Sequence, residues 1–236
     1  MKALPALAAV LVAAFALTGC VPGSDTPTPT SSASGSPSPT SDDSATPSET
    51  VAPEEVVTAA VVVVTASTLS VFGTDGSTML AVDYEADAAG VAARLAELLG
   101  ASPRVSTSAE SSEACPTRTF YDFGGLVIGT PQGLGSPATL GMPGAYDVVV
   151  TSASVNGVAV ETVAGQRVGA ARAAFVTAIG DEAEIDERGS GADLGFDLVN
   201  PEADEVDQVG TYAAFEGGVL TMLMTPAVVR FVGGCS

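Results

Sequence analysis

The sequence predicts an α+β fold of duplicated β-hairpin–helix–β-hairpin modules, an antiparallel sheet with helices on one face. Three observations carry that expectation. Alternating strand-like stretches flank the turn dipeptides Asp75-Gly76 and Asn156-Gly157. Two segments with apolar residues at helical spacing each stop at a glycine, Gly100 and Gly180. The run Phe123-Gly124-Gly125 followed by Thr130-Pro131 is answered by Phe215-Glu216-Gly217-Gly218 and Thr225-Pro226, so the same order of signals occurs twice.

The first module is placed at residues 54–136. Residues 56–64 (Val56-Val57-Thr58-Ala59-Ala60-Val61-Val62-Val63-Val64) are too short to cross a bilayer and read as a buried strand. Thr68-Leu69-Ser70-Val71-Phe72 and Met79-Leu80-Ala81-Val82-Asp83-Tyr84 form a hairpin about Asp75-Gly76. Residues 88–99 then carry Val91, Leu95, Leu98 and Leu99 on one helical face. After a polar loop, residues 117–123 and 126–131 flank the Gly124-Gly125 turn as a second hairpin.

The second module, residues 137–236, repeats the scheme. Residues 146–154 lead through Asn156-Gly157 into 158–162, and a helix from about Arg167 holds Val168, Ala171, Phe175, Val176 and Ile179. A long polar loop precedes the hairpin of 211–215 and 219–226 about Gly217-Gly218. Two such units side by side resemble the tandem architecture of β-lactamase-inhibitor-like proteins and related envelope lipoprotein modules. That likeness lies in element order, without a shared residue motif, so it implies a fold and carries little about function.

Ahead of the modules, residues 1–19 have the parts of an export signal. The Met1 amino group and Lys2 precede an apolar stretch from Leu7 to Leu17, which falls short of the roughly 20 residues of a spanning helix and is broken by Pro22 and Gly23. Leu17-Thr18-Gly19-Cys20 resembles the lipobox of bacterial lipoproteins. The resemblance implies loss of residues 1–19 as a signal peptide and a diacylglyceryl group on the Cys20 thiol. It places the mature protein on the extracytoplasmic face of the cell membrane, lipid-anchored. A cysteine standing by chance beside a plain secretory signal is the alternative reading, and the single lysine makes a thin positive start. Two or more acyl chains anchor stably where one does not, because each buried methylene contributes about 0.8 kcal/mol.

Residues 20–53 follow as the lipidated Cys20 and a Ser/Thr/Pro-rich linker, exemplified by Thr26-Pro27-Thr28-Pro29-Thr30. Such a composition buries too little apolar surface to offset the entropy of ordering, so a disordered linker is expected. As a flexible coil it spans about 30–35 Å, and its prolines extend it further. The Ala/Gly/Val-rich, lysine-poor composition resembles that of lipoproteins from high-GC Gram-positive bacteria.

Charge and missing residue types exclude much chemistry. The chain has 28 acidic against 8 basic residues, a formal net charge of −20, no histidine and no tryptophan, and Lys2 is its only lysine. Without a basic stripe there is no basis for nucleic-acid binding. Lacking histidine removes Ser–His–Asp, Cys–His and His-ligated zinc sites, and lacking a downstream lysine removes a Walker A motif or a Schiff base. Paired carboxylates for glycoside cleavage stay formally available, but only Tyr84, Tyr121, Tyr146 and Tyr212 could stack on sugars beside phenylalanine. No catalytic residue, metal site or cofactor is therefore assigned, and the expectation is a non-enzyme.

With Cys20 acylated, Cys115 and Cys235 form an even pair in an oxidising compartment, and a disulfide between them is expected, two free thiols being the alternative. Closing that loop of about 120 residues contributes a little under 5 kcal/mol in the chain-entropy model. The remaining conspicuous feature is the acidic loop 181–207, with Asp181, Glu182, Glu184, Asp186, Glu187, Asp193, Asp197, Glu202, Asp204, Glu205 and Asp207. Its spacing matches no EF-hand, and a solvated, self-repelling loop is the default. The functional expectation is a membrane-anchored binding or interaction protein of the cell envelope with an envelope protein as possible partner. The alternative is a solute- or Ca²⁺-capturing lipoprotein that uses the acidic loop.

Overall fold

The computed structural model describes residues 56–110, 116–133, 137–140, 144–180, 184–185, 193–200, 202, 204 and 208–229. The chain separates into Met1–Ala52 and Pro53–Ser236, and all described residues belong to the second unit. The expected signal peptide and linker, and Cys20, Cys115 and Cys235, lie outside the described residues. No helix among the described residues is long and apolar enough to cross a membrane.

The second unit is α+β and mostly β. Residues 54–136 supply β1 (Ala59–Val64), β2 (Thr68–Gly73), β3 (Thr78–Asp83), α1 (Ala88–Leu99), β4 (Arg104–Thr107), β5 (Thr119–Asp122) and β6 (Leu126–Thr130). A short 3-10 turn, Pro137–Leu140, precedes β7 (Asp147–Val150), β8 (Ser154–Val155), β9 (Val158–Thr162) and α2 (Arg172–Ile179). The chain continues through β10 (Glu184–Ile185), β11 (Leu194–Phe196), β12 (Val209–Glu216) and β13 (Val219–Val228).

These strands form two sheets, ordered β3-β2-β1-β9-β8 and β10-β11-β12-β13-β7-β6-β5-β4. Strands from both halves of the chain enter each sheet. Neighbours are antiparallel except β1 and β9, which run parallel with Val61 opposite Ala159 and Val64 opposite Thr162. The hairpins form about the expected turns, with Leu69 opposite Val82 in one and Tyr121 opposite Ile128 in another.

Helix α1 has the boundaries its periodicity predicts, and its ends explain why. Asp87 is extended, and its carboxylate accepts the Gly90 N–H at 2.7 Å, satisfying one orphan donor of the first turn. Gly100 closes the helix at φ 59°, a left-handed conformation that costs glycine little. From the β8–β9 turn, the Asn156 side chain donates to the Leu99 carbonyl at 2.6 Å and caps the helix a second time.

Three expectations are corrected. The strand anticipated over 146–154 breaks at 151–153, so β7 joins the larger sheet and β8 the smaller. There the Thr151 N–H donates to Gly125 O, and the Val160 N–H to Ala153 O, so successive residues are claimed by different sheets. Helix α2 begins at Arg172 rather than near Arg167, because residues 169–172 bond to the β12–β13 hairpin instead. Gly169 N donates to Leu220 O, Leu220 N to Ala170 O, and Arg172 N to Gly218 O, with Gly169 at φ 93°. The loops expected after each helix also contain strands, namely the exposed edge strand β4 and the short β10 and β11.

One core joins both sheets and both helices. Val62, Val64, Leu69 and Val71 from the smaller sheet meet Leu126, Ile128, Val148, Val150, Leu220 and Leu223 from the larger, with Leu95 of α1 and Phe175 of α2. Alternation along β1, β2, β6 and β7 puts their residues on one face, and on β13 the bulge between Leu220 and Met222 brings Leu220 and Leu223 to the same side. Phe175 packs edge-on against Phe196 and Phe215, with ring centroids 5.4 and 5.3 Å apart.

Candidate functional site

The two sheets are bolted together where the β1–β2 turn meets β13. The Thr65 hydroxyl accepts the Ser67 and Thr68 N–H groups at 3.1 and 2.8 Å, which sets the turn. The Thr65 carbonyl then accepts the Thr225 hydroxyl at 2.6 Å and the Tyr84 hydroxyl at 2.9 Å. Thr211 donates to the Thr225 oxygen at 3.2 Å, and Tyr146 donates to the Asp83 carbonyl at 3.0 Å. Asp197 sits at φ 54° and accepts the Ala66 N–H at 2.6 Å. Burial pushes the Tyr84 and Tyr146 phenols far above their usual range, so both act as neutral donors. The Thr130–Pro131 and Thr225–Pro226 peptides are both cis.

Beside this seam lies a pocket of about 320 Å³, at the small end of the ligand-site range. Ala66, Pro137, Val199, Val209 and Pro226 make its apolar wall, while Ser67, Tyr84, Asp83 and Glu85 bring polar atoms. Its walls are held by the surrounding hydrogen bonds. Val199 N donates to Val209 O at 2.9 Å, Val209 N to Asn200 Oδ1 at 2.6 Å, and Glu85 N to Asp83 Oδ1 at 3.0 Å. Asp83 and Glu85 are exposed at the rim, as is Val199 at 50 %. The described lining is thus mostly apolar, with the exposed acidic residues Asp83 and Glu85 as its charged members.

A second polar centre is buried in the larger sheet. Arg118 and Asp147 pair at 2.5 Å with side chains only 16 and 4 % exposed. Arg118 Nε donates to Pro131 O at 2.8 Å, and the second Asp147 oxygen accepts the Gly133 N–H at 3.0 Å, so the pair also fastens residues 131–133. Gly129 gives it room, since a Cβ there would collide with the guanidinium. Burial raises the Asp147 carboxyl above its ordinary range, outweighing the lowering by Arg118 and the Gly133 N–H. With Asp147 almost wholly buried, the pair ties the chain entering β5, and β7, to residues 131–133.

The sequence-nominated residues fall elsewhere. Cys20, Cys115 and Cys235 lie outside the described residues, as do Asp181, Glu182, Asp186, Glu187, Glu205 and Asp207 of the acidic loop. Two of its described carboxylates are turned to structural use. Asp193 accepts the Tyr212 hydroxyl at 2.5 Å and the Phe215 N–H at 3.2 Å, and Asp197 holds the β1–β2 turn. Among the described residues no cluster of three or more His, Cys, Asp or Glu could hold a metal ion. Sequence reasoning missed the rim pair Asp83 and Glu85, for which no local signal exists. It also passed over Asp147, whose place in the run Tyr146-Asp147-Val148-Val149-Val150 was a usable sign of a buried, partnered charge. No protein-family model, curated protein or solved structure matches the chain.

Proposed function

We propose that the chain is a non-enzymatic binding lipoprotein of the cell envelope, anchored through acylated Cys20 and presenting Pro53–Ser236 to a partner across the linker. The observation that carries the binding role is the seam pocket, a mostly apolar concavity whose lining includes the two exposed acidic residues Asp83 and Glu85 and whose walls are held by hydrogen bonds. A preset site spends little affinity on ordering itself. The missing histidine and the use of the Arg118–Asp147 pair as a tie to residues 131–133 support binding over catalysis. The same reading takes the two halves as a duplication, supported by their shared order of hairpin, helix and hairpin: β2–β3, α1, β5–β6 against β8–β9, α2, β12–β13. It also pairs Cys115 with Cys235.

Detergent phase partitioning and intact-mass measurement test the anchor, with Cys20→Ser releasing the protein to the aqueous phase. Non-reducing peptide mapping tests the disulfide. Crosslinking in intact cells tests the partner: a discrete envelope adduct that needs residues 53–236 is expected. Failure to recover one with crosslinkers of several lengths refutes the binding role.

A further inference from the structure

We propose that the seam pocket binds a primary ammonium group carried on a short apolar chain; the inference rests on reading the domain as a binding module. Four arginines of the described residues are each paired with a carboxylate: Arg94 with Glu97, Arg104 with Asp122, Arg118 with Asp147 and Arg167 with Glu161. Among the described residues, Asp83 and Glu85 have no such cation, and neither Lys nor Arg lines the pocket. In a chain of net charge −20 the pocket mouth therefore attracts a cation from outside.

The shape of the site chooses among cations. A divalent metal ion such as Ca²⁺ needs six to eight oxygens; the described lining offers Asp83 and Glu85 with Ser67 and Tyr84, whose hydroxyl already donates to the Thr65 carbonyl, and is otherwise the apolar Ala66, Pro137, Val199, Val209 and Pro226. Hydrocarbon on the wall and charge at the rim call for a ligand with the same division, an alkyl body ending in an ammonium. Val199, half exposed at the mouth, gains cover from such a body. Rigidity favours the match, since the Asp83–Glu85 turn is closed by its own hydrogen bond and the Ala66 amide is held by Asp197. A lysine side chain of a partner and a free alkylamine share this chemistry.

Titration calorimetry on the full chain in detergent tests the proposal, with n-hexylammonium as the probe and n-hexanol and Ca²⁺ as comparators. The expected result is saturable binding of n-hexylammonium that weakens as salt is raised from about 0.01 to 0.15 M, because the rim is solvent-exposed. Asp83→Asn and Glu85→Gln should each weaken it about fivefold, as loss of one solvent-screened charge at contact distance implies. Val199→Arg, at an exposed position, should abolish it by placing a resident cation in the mouth, and unchanged melting temperatures certify that the variants fold. Binding of N-acetyl-lysine methylamide alongside n-hexylammonium assigns the source to a partner's side chain; binding of n-hexylammonium alone assigns it to a free amine. Equal binding of n-hexanol, displacement by Ca²⁺, or indifference to all three substitutions overturns the proposal. An envelope adduct without ammonium binding sinks this inference alone, whereas ammonium binding without any adduct sinks the partner-binding reading alone.

Discussion

Replacing Arg118 by Met should destabilise the domain more than any other single surface-reaching change, and the structure says why. The guanidinium stands 2.5 Å from Asp147, donates to Pro131 O at 2.8 Å and lies 4.9 Å from the Phe120 ring centre. Methionine keeps most of the apolar stem but leaves a carboxylate that is 4 % exposed without its countercharge. Breaking a buried pair from one side costs about 3–5 kcal/mol. For a domain of this size each kcal/mol is worth about 2–4 °C, so Tm should fall by about 6–20 °C. Arg118→Met/Asp147→Leu removes the stranded charge as well and should recover at least half of the loss; the lost anchors to Pro131 and Gly133 prevent full recovery. The pH dependence has a definite sign. Asp147 already has a folded-state pKa above its unfolded value, so its ionisation penalises the native state above that pKa. The penalty fades as pH falls through the folded value. Removing Arg118 raises the carboxyl further, so the deficit of Arg118→Met should be largest at neutral pH and shrink as pH is lowered towards the ordinary carboxyl range. Thermal unfolding followed by circular dichroism at several pH values measures all three variants. A drop under about 2 °C for Arg118→Met, or a double variant as unstable as the single one, would refute the account of a charge tie in a dry setting.

Three further outcomes are expected. Asp87→Ala should cost about 1 kcal/mol through loss of the α1 N-cap, with Asp87→Asn restoring most of it in chemical denaturation. Phe175→Ala should cost about 3–5 kcal/mol, because the ring fills the space between Phe196 and Phe215 with no exposed surface; a midpoint shift without a change in m-value checks it. The Asp122 carboxyl is held below its ordinary value, first by the Gly124 N–H and also by Arg104. Its contribution is therefore present above the ordinary value of 3.8 and lost as pH falls through the lowered folded-state value, so Asp122→Asn should be less stable than the parent at pH 7, with the difference shrinking as pH falls through the acid range. The melting-temperature difference between the two proteins, followed across that range, reads the effect.

Sequence by itself determined what short-range forces decide. Asp87 and Gly100 bracket α1 because a carboxylate oxygen and a left-handed glycine satisfy the helix ends within a few residues. Asp75-Gly76 and Gly124-Gly125 turn their hairpins for the same local reason, with positive φ at Gly76, Gly124 and Gly125. The absent histidine and the acid-rich composition likewise restrict chemistry wherever the chain folds. Tertiary structure alone decided the rest. The parallel union of β1 with β9 joins residues almost a hundred positions apart, and no local pattern encodes a partner at that distance. Residues 146–154 alternate like one strand, yet Gly125 and Val160 compete for their backbone groups and divide them between two sheets. Residues 169–171 have helical spacing but pair with Leu220 and Val219, since ready-made strand partners outbid a costly first helical turn. The seam pocket belongs to the same class, for Ser67, Glu85, Val199 and Pro226 meet only after both sheets close on one core.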